Sequence, residues 1–317
     1  MDKDIKTILL ITYDNWGFNQ YIADALEAKG HEVKHINFHH FRYKYPNLGY
    51  KIFNFFTKNT GILNLKHQHY NSVILKEIEK LNKIDTSIYI KADFLSPETI
   101  KAINKKSEKS VLIISDSINR YPKTKKILTL FDKVFSFEKK DCEKYNLIFK
   151  TNFIYNYVEH IPEVFIYKVF NISSLDNRFP VFQKIAKYLH QLNINYRIII
   201  FTSKKENDPY LEFSKTTLSI SENNALLAES EIMLDVHRTQ QQGLSFRVFE
   251  SLGLHKKLIT TNSDIINYDF YNPENIHIIE DVEKISIPEL FFEKPYTKVP
   301  KKFLEKYLIE NWVEELI

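Results

Sequence analysis

The sequence contains a single cysteine, Cys142. This excludes an internal disulfide and any metal cluster built from cysteines, and it fits a reducing compartment. No apolar stretch approaches the roughly 20 residues that a membrane-spanning helix needs. The apolar run near the N-terminus is too short and too soon interrupted to be a signal peptide. We therefore expect a cytoplasmic protein, with any membrane contact peripheral and at the cytoplasmic face of the inner membrane.

The sequence also has few glycines and a small net charge. The loop at residues 14–19 has only one glycine, so it is not the glycine-rich fingerprint of a dinucleotide-binding fold. The chain has 44 basic and 40 acidic residues, and a net charge of +4 is too mild to indicate a nucleic-acid partner. His35, His39, His40, His67 and His69 have no carboxylate or cysteine partner at ligand spacing, so we expect no metal site.

What the sequence does contain is a regular alternation of apolar, strand-like runs with amphipathic helices. In the first half, strands are predicted at residues 6–13, 31–37, 87–90, 111–114 and 134–137, with helices between them. This alternation predicts a parallel sheet that helices cover on both faces. The pattern restarts near residue 160 and gives strands at 164–172, 196–201, 232–235, 257–261 and 275–279.

The length of 317 residues suits two domains that each bury a core. We predict an α/β protein of two Rossmann-like domains, at residues 1–160 and 161–300. The terminal segment, residues 301–317, is predicted to be an amphipathic helix that packs back on the first domain.

The most informative stretch runs from residue 232 to residue 262. A strand ends at Asp235, a polar loop carries His237, Arg238 and Gln240 to Gln242, and a helix at 245–252 is closed by Gly253. In open parallel sheets ligands bind beyond the carboxyl ends of the strands, so this loop should lie on the ligand side.

Helical spacing in this stretch places Arg247 and Glu250 on one stripe of the helix. The free amides at the helix start favour an anion, and Arg247 or Arg238 could contact a diphosphate while Glu250 accepts hydrogen bonds from a ribose. The alternative is a local ion pair between Arg247 and Glu250 on a solvated face, which would contribute only about 0.3 to 0.5 kcal/mol.

Two segments resemble a known family. QQGLSFRVFESLGLHKKLITTN, residues 241–262, resembles the donor-site helix of GT-B glycosyltransferases, particularly the spore-maturation-type and lipopolysaccharide-core branch. SDSINRYPKTKKILTLFDKVFSFEKKDCEKY, residues 115–145, is similar to the N-terminal domain of that branch. The resemblance implies two Rossmann-like domains facing a cleft, with the last helix crossing back to the N-terminal domain. It also implies a nucleotide-sugar donor bound by the C-terminal domain and an acceptor bound by the N-terminal one.

The resemblance also assigns roles by matching position. Glu250 would bind the donor ribose, and Arg247, Ser245 and the amides near Gly243 would approach the phosphates. Many GT-B enzymes have an acidic residue where this chain has Gln242, which leaves the retaining or inverting outcome open. The predicted donor-binding set is His237, Arg238, Gln242, Gly243, Ser245, Arg247 and Glu250, with Ser203 and Lys204 after an earlier strand.

An inverting reaction needs a general base near the acceptor. Asp14, Asp93 and Asp116 each follow a predicted strand of the first half, and all three stand equal as candidates. Each also fits a helix cap or a loop. The cations and helix-end amides could stabilise the leaving diphosphate without a metal, so we expect a metal-independent hexosyltransferase with no cofactor.

The first functional hypothesis is a transferase that extends a cell-surface polysaccharide or lipopolysaccharide on a saccharide or glycolipid acceptor. A nucleotide-sugar epimerase of the same fold and a non-catalytic nucleotide-sugar-binding assembly protein are the alternatives. Residues 34–58, rich in aromatic and basic side chains, suit a membrane interface. A loop and helix packed by their own aromatic rings is the other interpretation of that segment.

Overall fold

The computed structural model describes residues 5–59, 63–161, 164–239 and 241–317. The chain divides into two compact units. Unit 1 comprises Met1–Lys150 and Val313–Ile317, and unit 2 comprises Thr151–Trp312. Each unit is built on one parallel sheet with helices, so the predicted architecture of two Rossmann-like α/β domains is confirmed. Within the described ranges, no helix has both the length and the apolar character needed to cross a membrane.

Unit 1 has six described strands and five described α-helices. The strands are β1 (Thr7–Thr12), β2 (Glu32–Asn37), β3 (Ile84–Ile90), β4 (Ser107–Ile114), β5 (Lys133–Ser136) and β6 (Ile148–Phe149). The helices are α1 (Phe18–Ala28), α2 (Leu48–Asn59), α3 (Leu65–Glu79), α4 (Pro97–Asn104) and α5 (Lys139–Tyr145).

The sheet of unit 1 has the order β2-β1-β3-β4-β5-β6, with every neighbouring pair parallel. Its central strands are covered on both faces, which explains why their sequences are continuous apolar runs rather than alternating ones. Leu9, Ile88 and Leu112 are all buried. The order reverses between β1 and β3, so the ligand side of this unit lies at the carboxyl ends of these strands and of β4 beside them.

Unit 2 also has six described strands, with six short or medium helices. The strands are β7 (Tyr167–Ser174), β8 (Tyr196–Phe201), β9 (Glu212–Ser214), β10 (Ser230–Asp235), β11 (Lys257–Thr260) and β12 (Ile276–Ile278). The helices are α6 (Phe179–Gln191), α7 (Ile220–Ala228), α8 (Phe246–Gly253), α9 (Glu289–Glu293), α10 (Lys301–Leu304) and α11 (Ile309–Trp312).

The sheet of unit 2 has the order β12-β11-β10-β7-β8-β9. Counted from the first strand of the unit, this is 6-5-4-1-2-3, the Rossmann order, and the switch point lies between β7 and β10. Val169 pairs with Ile232 in register across these two strands, and both are fully buried. Burial of each such side chain contributes about 1.5 to 3 kcal/mol, so the two strands at the switch point are firmly held.

The prediction of one terminal helix at residues 301–317 is wrong. The backbone is extended at Leu308, with φ −61° and ψ 136°, and Leu308 forms a parallel bridge with Ile154. Ile154 N donates to Tyr307 O at 2.7 Å, and Ile309 N donates to Ile154 O at 3.0 Å. These long-range hydrogen bonds replace those of a continuous helix and split the segment into α10, α11 and two 3₁₀ turns. The last turn lies in unit 1, where Lys29 Nζ is 2.6 Å from Glu314 Oε1.

Candidate functional site

A charged cluster occupies the carboxyl ends of the two strands at the switch point of unit 2. Asp176 follows β7, and its carboxylate accepts from Arg178 Nε at 2.9 Å and from Arg238 Nη2, in the loop after β10, at 3.0 Å. Arg178 Nη1 also donates to Val236 O at 2.9 Å. The cluster therefore links the loops that follow β7 and β10 and fixes both guanidinium groups.

The net charge of this cluster is positive. Partial burial raises the pKa of Asp176, but the hydrogen bonds and charges of Arg178 and Arg238 outweigh it and hold that pKa below its usual value. Asp176 is therefore ionised at neutral pH and neutralises one of the two arginines. Arg178 is also the N-cap residue of α6, so the positive end of a 13-residue helix lies beside the cluster.

A cavity of about 430 Å³ lies next to the cluster, at the carboxyl ends of β7 and β8. Ser174 and Asp176 line it on the β7 side, and Ser203 and Lys204 line it on the β8 side. Its volume is within the usual range for small-molecule sites. The structure thus brings Ser203 and Lys204, both in the predicted donor-binding set, to the same cavity as Asp176.

The loop after β10 is anchored to the end of β11. The backbone N of His237 donates to Thr261 Oγ1 at 3.0 Å, and His237 Nδ1 lies 2.8 Å from the same oxygen. Asn262 Nδ2 donates to Gln242 O at 3.0 Å, and Gly243 O accepts from Gln241 Nε2 at 3.2 Å. Gln240 lies outside the described residues. Burial lowers the pKa of His237, so its ring is neutral at neutral pH.

Of the three aspartates predicted as base candidates, Asp14 is held by backbone amides. Its Oδ1 accepts from Trp16 N at 2.8 Å and from Gly17 N at 2.9 Å, and its Oδ2 accepts from Asn19 N at 2.7 Å. These bonds shape the turn into α1, where Gly17 has a left-handed φ of 87°. Asp14 therefore has a clear structural role at the end of β1.

Asp93 and Asp116 lie together at the ends of β3 and β4, in one small hollow that Lys91 and Tyr121 also line. Asp116 Oδ1 accepts from Arg120 Nη1 at 2.7 Å. Asp93 is half-buried, and desolvation raises its pKa against the opposing effect of Lys91. Lys91 itself has φ 62°, a left-handed conformation that is costly for a residue with a side chain.

The histidines of unit 1 are bound to polar or aromatic neighbours. His35 Nε2 lies 2.9 Å from Thr12 Oγ1, and the His67 ring is 5.1 Å from the ring of Phe94. Burial lowers the pKa of both His35 and His67. Among the described residues, no three His, Cys, Asp or Glu side chains form a group that could hold a metal ion.

Comparisons with known proteins agree with this arrangement of two sheets. AviGT4, a glycosyltransferase involved in avilamycin A biosynthesis, matches with a TM-score of 0.61 and 8% identity over 98% of this chain and 95% of its own. The catalytic domain of starch synthase IV from Arabidopsis thaliana, bound to ADP and acarbose, matches with a TM-score of 0.55 and 8% identity over 98% and 96%. The chain has the GT-B fold. A glycosyltransferase from Rickettsia africae ESF-5 also matches, with a TM-score of 0.54 and 10% identity over 98% and 97%.

No protein-family model matches the chain. No curated protein matches it either. The GT-B fold is therefore established by structure, and the roles of individual residues have to be argued from their geometry.

The helix predicted to bind the donor phosphates is α8. Ser245 is its N-cap residue, but the Ser245 hydroxyl makes no capping bond and instead donates to Asp235 Oδ1 at 2.8 Å. Asp235 Oδ2 accepts from Thr260 Oγ1 at 3.0 Å. The serine hydroxyl therefore fixes the start of α8 to the ends of β10 and β11.

Arg247 and Glu250 both reach into the interior of unit 2. Arg247 Nη2 donates to Ile172 O and lies 3.3 Å from Ser173 Oγ, which ties α8 to the end of β7. Glu250 is 4% exposed and accepts a hydrogen bond from the Tyr155 hydroxyl. Burial raises the pKa of Glu250 and lowers that of Arg247. The alternative of a local ion pair requires a solvated helix face, but Glu250 is buried.

Replacing Glu250 by alanine should lower the free energy of unfolding of unit 2 by about 2 to 4 kcal/mol. The change removes an acceptor of the Tyr155 hydroxyl and one of the two carboxylates, with that of Asp235, that favour the charged form of the buried Arg247. Chemical denaturation followed by circular dichroism would measure the loss.

Glu206→Ala is the matched control, because Glu206 is an exposed glutamate of the same unit. It should change stability by less than about 0.5 kcal/mol. Equal stability of the Glu250→Ala and Glu206→Ala proteins would contradict a structural role for Glu250.

The predicted donor-binding set does not include Asp176 and Arg178, although the sequence contains a pattern that points to them. The run Ser173-Ser174-Leu175-Asp176-Asn177-Arg178 follows a predicted strand directly, as the runs that carry Ser203 and His237 do. The rule that ligands bind beyond the carboxyl ends of strands therefore applies equally to it. The position of β7 beside β10 in the sheet is what distinguishes this run from the others, and the sequence alone does not show it.

Proposed function

We propose that the protein is a glycosyltransferase that moves a sugar from a nucleotide-sugar donor to a saccharide or lipid-linked saccharide. Unit 2 binds the donor and unit 1 binds the acceptor. The acceptor class, in cell-surface polysaccharide or lipopolysaccharide synthesis, is taken from the sequence resemblance to the spore-maturation-type and lipopolysaccharide-core branch. The GT-B fold, shared with proteins named as glycosyltransferases, supports the reaction type.

The observation that carries this proposal is the Asp176, Arg178 and Arg238 cluster at the switch point of the unit 2 sheet. In sheets of the Rossmann order ligands bind at this point, and two fixed guanidinium groups suit a diphosphate. The neighbouring cavity offers the hydroxyl of Ser203 and the cation of Lys204. The positive end of α6 acts in the same direction.

Transfer breaks the bond between the anomeric carbon and the diphosphate oxygen, and the electron pair leaves with the nucleoside diphosphate. A hydroxyl oxygen of the acceptor forms the new bond to that carbon and loses its proton. Because the guanidinium groups of Arg178 and Arg238 are held in place before the reaction, they can stabilise the developing negative charge without reorganising. Their orientation by Asp176 and by Val236 O provides this preorganisation.

Asp93 is the proposed base that takes the proton of the acceptor. Of the three aspartates, Asp14 accepts hydrogen bonds from three backbone amides, and Asp116 accepts one from Arg120. Desolvation raises the pKa of Asp93, so its carboxylate holds a proton more strongly than an exposed aspartate does.

The test is to incubate the full chain with a panel of UDP-, ADP-, GDP- and dTDP-sugars, with and without saccharide acceptors. Release of nucleoside diphosphate together with a lengthened acceptor is the expected result. Conversion of the donor into a different nucleotide sugar, without release, would favour an epimerase. Tight binding of a nucleoside diphosphate with no turnover would favour a binding protein and would count against the proposal.

Turnover should be unaffected by removal of divalent metal ions, because the proposed leaving-group stabilisation comes from arginine side chains and helix-end amides. The measurement compares nucleoside diphosphate release in excess EDTA with release in excess Mg²⁺. A loss of more than about tenfold in EDTA would mean that a cation carries part of the charge stabilisation.

A further inference from the structure

The aromatic and basic segment at residues 34–58 divides into two parts in the structure. Its first part packs inside unit 1. The ring of Phe38 is buried and lies 5.7 Å from that of Tyr70, and Tyr43 contacts Tyr45 at 4.9 Å. The second part is α2, and it does not follow this pattern. The packing interpretation is therefore right for the residues before α2 and fails for α2 itself.

Helix α2 has the opposite orientation to an ordinary surface helix. Asn54 is its one buried residue. The Asn54 Nδ2 donates to Tyr45 OH at 2.8 Å, and its Oδ1 accepts from Leu65 N at 2.7 Å. A polar side chain thus holds the helix to the segments on either side of it.

The apolar residues of α2 are exposed. Leu48, Ile52, Phe55 and Phe56 follow the i, i+4, i+7, i+8 spacing of one helical face, and they are 69%, 50%, 54% and 64% exposed. At 100° per residue this face lies about 150° from Asn54 around the helix axis. Phe53 and Tyr50, also about half exposed, widen the surface on one side. Large apolar side chains grouped in this way mark an interaction surface.

The sequence on either side of α2 carries formal charge of one sign. Residues 33–76 contain no aspartate or glutamate, and they contain seven lysines and arginines. Lys51 and Lys58 lie within α2 on the border of the apolar face, and both are exposed. A partner that covers this surface must therefore be apolar at its centre and negative around it.

We propose that α2 docks the protein on a membrane surface that contains anionic lipid, with its apolar face in the headgroup and acyl boundary. Phenylalanine, leucine and isoleucine gain by entering this layer, and flanking lysines pair with anionic headgroups. A nucleic acid would use the positive charge and could stack bases on the phenyl rings, but it would leave the aliphatic side chains of Leu48 and Ile52 in water. The inference is independent of the proposed transferase activity, because binding to lipid can be measured without a donor.

The experiment is sedimentation of the full chain with vesicles of phosphatidylcholine containing about 30% phosphatidylglycerol, and with vesicles of phosphatidylcholine alone. The protein should bind the first and not the second. The Phe55→Ser/Phe56→Ser protein should lose affinity by on the order of tenfold or more, and Lys51→Glu/Lys58→Glu by a similar factor. The altered side chains are exposed, so thermal unfolding should be unchanged.

Matched controls alter the same residue types elsewhere. Ile266→Ser/Leu290→Ser removes two apolar side chains of unit 2 that are 55% and 54% exposed. Lys187→Glu/Lys215→Glu makes the same change in net charge at exposed lysines of unit 2. Both control proteins should bind the anionic vesicles as the unaltered chain does.

Three results would overturn the proposal. The first is vesicle binding that falls equally in the α2 variants and in their controls. The second is no vesicle binding, with a dimer in analytical ultracentrifugation that Phe55→Ser/Phe56→Ser converts to monomer, because α2 would then join two copies of the chain. The third is tighter binding to single-stranded RNA than to the anionic vesicles.

Discussion

Replacing Asp93 by asparagine should lower the rate of sugar transfer by about 10²- to 10⁴-fold and leave the affinity for nucleoside diphosphate unchanged. The amide has nearly the shape of the carboxylate but cannot accept the acceptor proton. Initial rates of acceptor elongation and calorimetric titration with the nucleoside diphosphate would separate the two effects. A variant with normal turnover would remove Asp93 from the mechanism.

The pH dependence of transfer gives a second measure of Asp93. A base must be ionised, so transfer falls as pH decreases through its pKa. Desolvation raises that pKa above the usual 3.8, and the acidic limb should lie higher than for an exposed aspartate. The same shift means that the ionised form of Asp93 opposes folding once pH rises through the folded-state pKa. The Asp93→Asn protein should therefore be at least as stable as the unaltered chain at neutral pH.

Asp116→Asn is the informative comparison for Asp93→Asn. Both side chains line the same hollow, but Asp116 is paired with Arg120 at 2.7 Å. We expect a loss of transfer well below that of Asp93→Asn, because the amide removes an ion pair and not the base. A larger loss in Asp116→Asn would transfer the role of base to Asp116.

The double variant Arg178→Ala/Arg238→Ala should bind a nucleoside diphosphate about 100-fold or more weakly than the unaltered chain does. A hydrogen bond to a charged group contributes about 1.5 to 3 kcal/mol, and two are removed. Asp176 is also left without either guanidinium, which adds repulsion of the diphosphate. Affinity for the free nucleoside should change little, and calorimetry with both ligands would show the difference.

Arg197→Ala is the matched control for these two arginines. Arg197 lies at the start of β8, in the same unit, and pairs with Glu212 at 3.1 Å. Its removal should leave both affinities unchanged. Equal losses for diphosphate and nucleoside in the double variant would show that the arginines support the pocket and do not contact phosphate.

Much of the fold could be predicted because buried parallel strands leave a strong mark in the sequence. β1 and β10 each contain an apolar run that ends in a polar residue, and the helices after them bury apolar side chains. The two-domain α/β prediction depends only on such local patterns. The breaks in the terminal segment could not be predicted in this way, since Leu308 is extended by its pairing with Ile154, more than 150 residues earlier.

The candidate site was harder to predict because burial decides which charged residues reach a ligand. Helical spacing correctly places Arg247 and Glu250 on one face of α8. Helical spacing does not show which groups contact that face. In the structure Arg247 donates to Ile172 O, and Glu250 accepts from the hydroxyl of Tyr155. Asp176 and Arg178 lie at the switch point because β7 is beside β10 in the sheet, and the sequence does not show that neighbourhood.

The need for a glycine at the end of α8 also depends on residues that are distant in the sequence. The helix ends at Gly253, as predicted, but the residue with a left-handed conformation is His255, with φ 51°. A Cβ on Gly253 would lie 2.5 Å from Ile154 Cγ2 and 3.1 Å from Asn156 O. Glycine is therefore required there by the close approach of another segment.

The assignment of Val313–Ile317 to unit 1 has a consequence for the order of folding. Unit 1 is discontinuous in the chain, because Thr151–Trp312 is inserted between its two parts. Val313 and Leu316 are fully buried, and Lys150 Nζ lies 2.8 Å from Glu315 Oε2. During synthesis the ribosome must therefore complete all of unit 2 before unit 1 can close its core. Unit 1, although most of its residues are made first, therefore cannot fold completely while the chain is still being extended through unit 2.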